Sequence, residues 1–324
     1  MATWGEILME IGGEQLRNNP RAFDDVRRKY LKALSELTKR NTIAYATGWT
    51  SGGADPSDVI ISPDDILGLM EVCAGLEGRS LDLILHSPGG TAEAAEALVS
   101  YLRSQFDDIR VIIPHAAMSA ATMLACSANR IVMGKHSFIG PIDPQFILQL
   151  EIGRQSVAAH AILEQFKMAQ DQCTQNPALL ASWLPMLKQY GPALIVQCQL
   201  ATKLSCELVT SWLKQFMFSG QPNADVIAGN LAHALADHSQ FKSHGRFIDR
   251  TKARGFGLVI DDLEADKKLQ TAVLSVYHAI AHALSGTPAV KIIENHLGKA
   301  YIRQKQVILV QQPAHGGVPP RPTP

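Results

Sequence analysis

The sequence predicts an α/β fold with a mainly parallel sheet. Two observations carry this. Short apolar runs, "NTIAYAT", "LDLILH", "IRVIIP" and "NRIVMG", recur between residues 41 and 134. Segments of helical period, "SPDDILGLMEVCAGL", "TAEAAEALVSYLRSQF" and "MSAATMLACSA", separate them. Strands of four to eight residues alternating with helices build βα units and a parallel sheet. The chain has 324 residues, 46% of them hydrophobic, enough for a domain-sized core.

Each element follows from its residues. Residues 21–40 are amphipathic and charged, hence a helix. Residues 41–47 are a strand, and 48–57, rich in Gly, Ser and Asp, are a loop. Ser62 and Pro63 open the next helix at capping positions. The remaining strands and helices then alternate to residue 134. From 158 to 236 almost every window is helical, with breaks at Pro177, Gly191–Pro192 and Gly220–Pro222. Residues 244–264 return to loop and short strand, and 262–284 form another helix. The tail "QQPAHGGVPPRPTP" has the composition of disorder. The expected division is an N-terminal helical segment (1–41), a catalytic core (42–176), a mainly helical region returning to the core near 244–265 (177–311), and a disordered tail (312–324).

Composition excludes several function classes. Thirty basic and thirty acidic groups leave no basic excess for nucleic acid or an anionic membrane. Cys73, Cys126, Cys173, Cys198 and Cys206 show no CxxC spacing, which argues against a disulfide scaffold and a zinc site. The pair His278 and His282 lacks a Glu and a third ligand, so no metal is assigned. The first twenty residues lack the pattern of a signal peptide, and no window reaches eighteen apolar residues. The expectation is a cytoplasmic protein with no transmembrane segment.

The chemistry lies in two glycine- and serine-bearing junctions. "SPGG" follows "LDLILH", and Ser119 follows "IRVIIP" at the first turn of the next helix. Both are strand C-termini, the edge where sites form in open α/β sheets. Gly89 and Gly90 let a backbone N–H approach a ligand. Ser119 can present Oγ as a nucleophile, with the Ala120 N–H and a glycine N–H holding an oxyanion. A capping serine and a tight turn would leave the same letters.

"LHSPGGTAEAAEAL" followed by "PHAAMSAATMLACSANRIVMGKHSFIGPIDPQF" resembles the serine dehydrogenase proteinase family of Clp-fold serine peptidases, related to signal peptide peptidase A and the Clp proteolytic subunit. The resemblance covers about residues 42–176, and "SHGRFIDRTKARGFGLVIDDLE" extends it. It implies Clp/crotonase-like stacked ββα units with a helical C-terminal part, and an ATP-independent peptidase without cofactor that assembles as a homo-oligomer. It makes Ser119 the nucleophile, and Gly89 or Gly90 with Ala120 the oxyanion hole. The histidine of the Clp subunit falls on Ile142 or Asp143 here, so that triad is not reproduced. The lysine base of the signal peptide peptidase group falls near His160, with Lys167 two turns further on the same helix face. His160 is preferred, because an imidazole needs no large shift to act as base. Asp143 either orients a base or caps a turn. His115 and His244 are expected to be structural. Rival readings are a crotonase-type acyl-CoA enzyme and a catalytically silent scaffold.

Overall fold

The computed structural model describes residues 3–150 and 153–305; the expected disordered tail lies outside this range. The strands are β1 (Asn41–Thr47), β2 (Ser80–His86), β3 (Asp108–Ile113), β4 (Ala116–Ala117), β5 (Arg130–Met133), β6 (Phe138–Ile139), β7 (Gln145–Leu150), β8 (Gly153–Ala158), β9 (Ile248–Asp249), β10 (Ile260–Asp262), β11 (Ala289–Asn295) and β12 (Ala300–Gln304). The helices are α1 (Trp4–Leu16), α2 (Ala22–Thr38), α3 (Pro56–Val59), α4 (Asp65–Cys73), α5 (Ala92–Gln105), α6 (Ala120–Cys126), α7 (Ala159–Gln175), α8 (Leu180–Leu187), α9 (Leu194–Trp212), α10 (Ala224–Ala236), α11 (His238–Phe241), α12 (Arg250–Gly255) and α13 (Lys267–Gly286).

The main sheet runs β10-β5-β3-β2-β1-β11-β12. β10, β5, β3, β2 and β1 are parallel, and β11 and β12 close the sheet antiparallel. Its parallel strands are mostly apolar because both faces are covered. The period of two then divides each strand between two cores. Leu81, Leu83 and Leu85 join Val111, Ile113 and Ile131 under the layer that holds α4, α5 and α6. Ile84, Ile112 and Val132 face the opposite layer, where α13 packs on α2. Each large aliphatic side chain buried this way contributes about 1.5–3 kcal/mol. Asp82 is fully buried on β2 and is held by Arg40 and Arg110, both at 2.7 Å.

A second sheet, β4-β6-β9, is short, and Ser87 adds a parallel bridge to Ala117 at its side. A long strand, a short strand of the second sheet and a helix therefore follow one another, as in β3-β4-α6. This is the stacked ββα arrangement of a Clp-like α/β fold, with the helical α7–α10 region C-terminal to it. The helical run from 159 to 236 breaks near Pro177, Gly191–Pro192 and Gly220–Pro222. The β7–β8 hairpin and the strands β11 and β12 go beyond the sequence reading, while α1 lies in the N-terminal segment expected to be helical. His282 on α13 donates from Nε2 to the Trp4 carbonyl at 3.0 Å, and His278 packs edge-on against the Trp4 ring, so this pair fastens α1.

Candidate active site

α6, "AATMLAC", is apolar all round and every residue of it is buried. Its one polar group, Thr122 Oγ1, donates to the Ala117 carbonyl at 2.8 Å and accepts from Gly140 N–H at 3.0 Å. Ser119 stands at the head of this helix with φ 52° and ψ −121°. Residues other than glycine rarely adopt positive φ, and holding one there costs about 1–3 kcal/mol. The side chain does not cap the helix. Among the described residues Oγ has no hydrogen-bond partner, and Ser119 lines a cavity of about 470 Å³.

The SPGG loop lies against this serine. Gly89 has φ 99°, and a Cβ there would stand 2.7 Å from Ser119 Cβ and 2.8 Å from Ala120 N. A Cβ on Gly90 would fall 2.0 Å from the Ile61 carbonyl oxygen. Gly90 bridges Ile61, whose N–H donates to the Gly89 carbonyl at 2.7 Å. The Gly89 N–H is engaged, donating to Ser87 Oγ at 3.2 Å. The N–H groups of Gly90 and Ala120 have no acceptor among the described residues, and both residues line the cavity. Behind the loop, fully buried Lys291 donates to the Ile60 carbonyl at 2.8 Å and to Asp65 at 2.6 Å. Burial pushes the Lys291 ammonium down in pKa, against the opposing pull of Asp65. Tyr45 donates to the other oxygen of Asp65 at 2.7 Å, and burial raises its phenol well above the usual range.

Asp143 sits across the cavity in "GPIDPQ". Gly140 N–H bonded to Thr122 and Ile142 N–H bonded to the Leu235 carbonyl at 3.0 Å hold this loop between α6 and α10. The Asp143 carboxylate is 3% exposed. His244 donates from Nδ1 to its Oδ1 at 2.8 Å, and His238 donates from Nδ1 to its Oδ2 at 2.8 Å. His244 lines the same cavity as Ser119. The cavity thus collects a strained serine without a partner, a histidine bonded to a buried carboxylate, and two backbone donors. Such a set suits acyl transfer through a covalent serine intermediate.

Residues 64–175 match the ClpP-like SDH-type serine proteinases. The matched span contains the SPGG loop, Ser119 and Asp143 and stops before His244. Two uncharacterized proteins of Methanocaldococcus jannaschii are similar to parts of the chain. One is 39% identical over 77 residues, 24% of this chain and 27% of its own length. The other is 44% identical over 69 residues, 21% of this chain and 24% of its own length. The matching stretch spans about a quarter of these curated relatives. Two solved structures of a 1510-N membrane-bound stomatin-specific protease, both mutants, also align. One aligns with a TM-score of 0.33 at 13% identity, over 60% of this chain and 69% of that one. The other, in complex with a substrate peptide, aligns with a TM-score of 0.26 at 14% identity, over 62% and 84%.

Within the proteinase-like span, the residues named from the sequence fall into two groups. Ser119, Gly89, Gly90 and Ala120 converge on one cavity. His160 and Lys167, on α7, are not among its lining residues. The His160 ring packs 5.6 Å from that of His238, on the other side of Asp143 from His244. His115 is turned to α13, where its Nδ1 stands 2.8 Å from Tyr277 Oη and its ring stacks on His86. Burial lowers its pKa. Asp143, for which the sequence left open orienting a base or capping a turn, takes two imidazole donors. His244, expected to be structural, lines this cavity although it lies far from Ser119 in sequence, beyond the helical region. The resemblance of "SHGRFI" to the proteinases was the signal that could have singled it out. Among the described residues no helix is long and apolar enough to cross a membrane.

Proposed function

We propose that the chain is a serine peptidase that uses Ser119, His244 and Asp143 as a triad and the Gly90 and Ala120 N–H groups as its oxyanion hole. The observation that carries this is the joint presence of Ser119 and the Asp143-bonded His244 in one cavity. With Nδ1–H committed to Asp143, His244 Nε2 is the acceptor. It takes the Ser119 proton as Oγ attacks a peptide carbonyl, then hands that proton to the leaving amine. Water repeats the sequence on the acyl-enzyme. The two N–H donors stabilise the tetrahedral oxyanion, each worth about 10²–10³ in rate. In this reading His244 replaces His160 as base, and Gly90 serves in the hole because the Gly89 N–H is engaged.

Met123, Ile142 and Leu204 form an apolar part of the wall, with Leu204 supplied by α9. This suits an apolar side chain beside the scissile bond. Cleavage of an unfolded protein such as reduced casein, followed by mass spectrometry of the fragments, tests the proposal. Peptide products that vanish with Ser119→Ala support it; the same products from that variant refute it.

A further inference from the structure

Asp143 is bonded on both oxygens. Oδ1 accepts from His244; Oδ2 accepts from His238 and, at 2.9 Å, from Gln145 Nε2. His238 opens α11, in contact with the ring of His160 from α7. The neighbouring carboxylate of Asp237 is turned back onto its own helix, accepting from the backbone N–H groups of Ser239 and Gln240. Among the described residues no Lys or Arg pairs with Asp143. One buried negative charge therefore faces two imidazoles directly and a third one ring further away.

We infer that His238 is a positioning residue of the site, and that its charge state sets how strongly Asp143 supports His244. The inference rests on the proposed role of His244 as base. While His238 is neutral, its N–H fixes the carboxylate in the rotamer that meets His244 and leaves the full negative charge on the pair. That charge stabilises the His244 imidazolium formed as Ser119 loses its proton. A proton on His238 neutralises the carboxylate, and in a buried setting the loss is poorly screened. The site then works only with both histidines neutral, so two protons, not one, switch it off in acid.

The test follows the second-order rate of Ser119 labelling by a fluorophosphonate across pH, which needs no knowledge of the substrate. On the acid side the wild-type logarithmic rate is expected to rise with a slope of about two. His238→Asn keeps a neutral donor near the Nδ1 position. Its slope falls to about one, with a rate at neutral pH within about threefold of wild type. His238→Ala, which removes the donor, labels about tenfold more slowly at neutral pH. His160→Phe keeps the slope of about two. A slope of about two in His238→Asn, or a neutral-pH rate in His238→Ala equal to wild type, overturns the inference and leaves the triad standing. Wild-type labelling of His244→Ala overturns the triad itself and the inference with it.

Discussion

Asp143 Oδ1 and His244 Nδ1 are 2.8 Å apart although 101 residues separate them in sequence. The whole α7–α10 region intervenes. Asp143 rides on a loop fastened to α6 and α10, and His244 follows the short helix α11. Folding of the helical region onto the sheet is thus what brings the histidine to the carboxylate, and the proposed site cannot assemble without it.

Ser119 should be inert when truncated and more stable when replaced by glycine. Ser119→Ala keeps a Cβ at φ 52° and changes little packing. Ser119→Gly relieves the backbone instead, and should raise the unfolding free energy by about 1 kcal/mol. Both variants lose hydrolysis and fluorophosphonate labelling. Thermal melts of the three proteins check the stability order; a glycine variant less stable than wild type contradicts it.

Gly90→Ala is expected to be damaging for a packing reason as well as a catalytic one. The added Cβ meets the backbone of Ile61 at 2.0 Å, so the SPGG loop must leave its bridge. The expected result is a lower melting temperature and a labelling rate down by about 10² or more, since one donor of the proposed oxyanion hole moves away. Unchanged melting and labelling would show that the loop tolerates the shift.

Lys291 and Asp65 form a fully buried pair that also holds the Ile60 carbonyl. Lys291→Met leaves Asp65 buried without its cation and should cost about 3–5 kcal/mol. Adding Asp65→Asn should recover part of this loss, because the unpaired charge is gone. Urea titrations of the two single variants and the double variant give the coupling. Strictly additive losses would mean that the pair is not coupled.

His86 is 2% exposed and is stacked on His115. Burial first, then the neighbouring His115, lowers its pKa from 6.5 to about 3. The unfolded chain therefore binds a proton that the folded chain refuses between these values. Stability is fully present above about pH 6.5 and is lost progressively as the pH falls toward 3. Denaturation midpoints measured from pH 7 to 4 should fall for wild type and fall less for His86→Asn. Equal slopes would remove His86 from the acid response.

The core was legible in the sequence because parallel strands buried on both faces are made mostly of apolar letters. "NTIAYAT" and "LDLILH" declare themselves in this way. β11, "AVKIIEN", did not, because its Lys291, Glu294 and Asn295 are buried polar groups whose partners lie far along the chain. Arg27 and Arg28 meet Glu294, and Asn295 donates to the Val72 carbonyl. The Ser119 junction was legible because its small neighbours are local. The imidazole partner was not. His160 sits at the sequence distance suggested by lysine-based relatives, whereas the histidine in the cavity arrives through tertiary packing. Gly89 and Gly90 look alike as letters, and it takes the hydrogen bond from Gly89 N–H to Ser87 Oγ to show which N–H is left open to the cavity.

The assignment of His244 as the base is tested most directly by fluorophosphonate labelling of Ser119 in His244→Ala and His160→Ala, with peptide mapping of the labelled site. The account predicts labelling reduced by about 10²-fold or more in His244→Ala and within about threefold of wild type in His160→Ala. The opposite pattern, with His160→Ala silent and His244→Ala labelled at the wild-type rate, would contradict it.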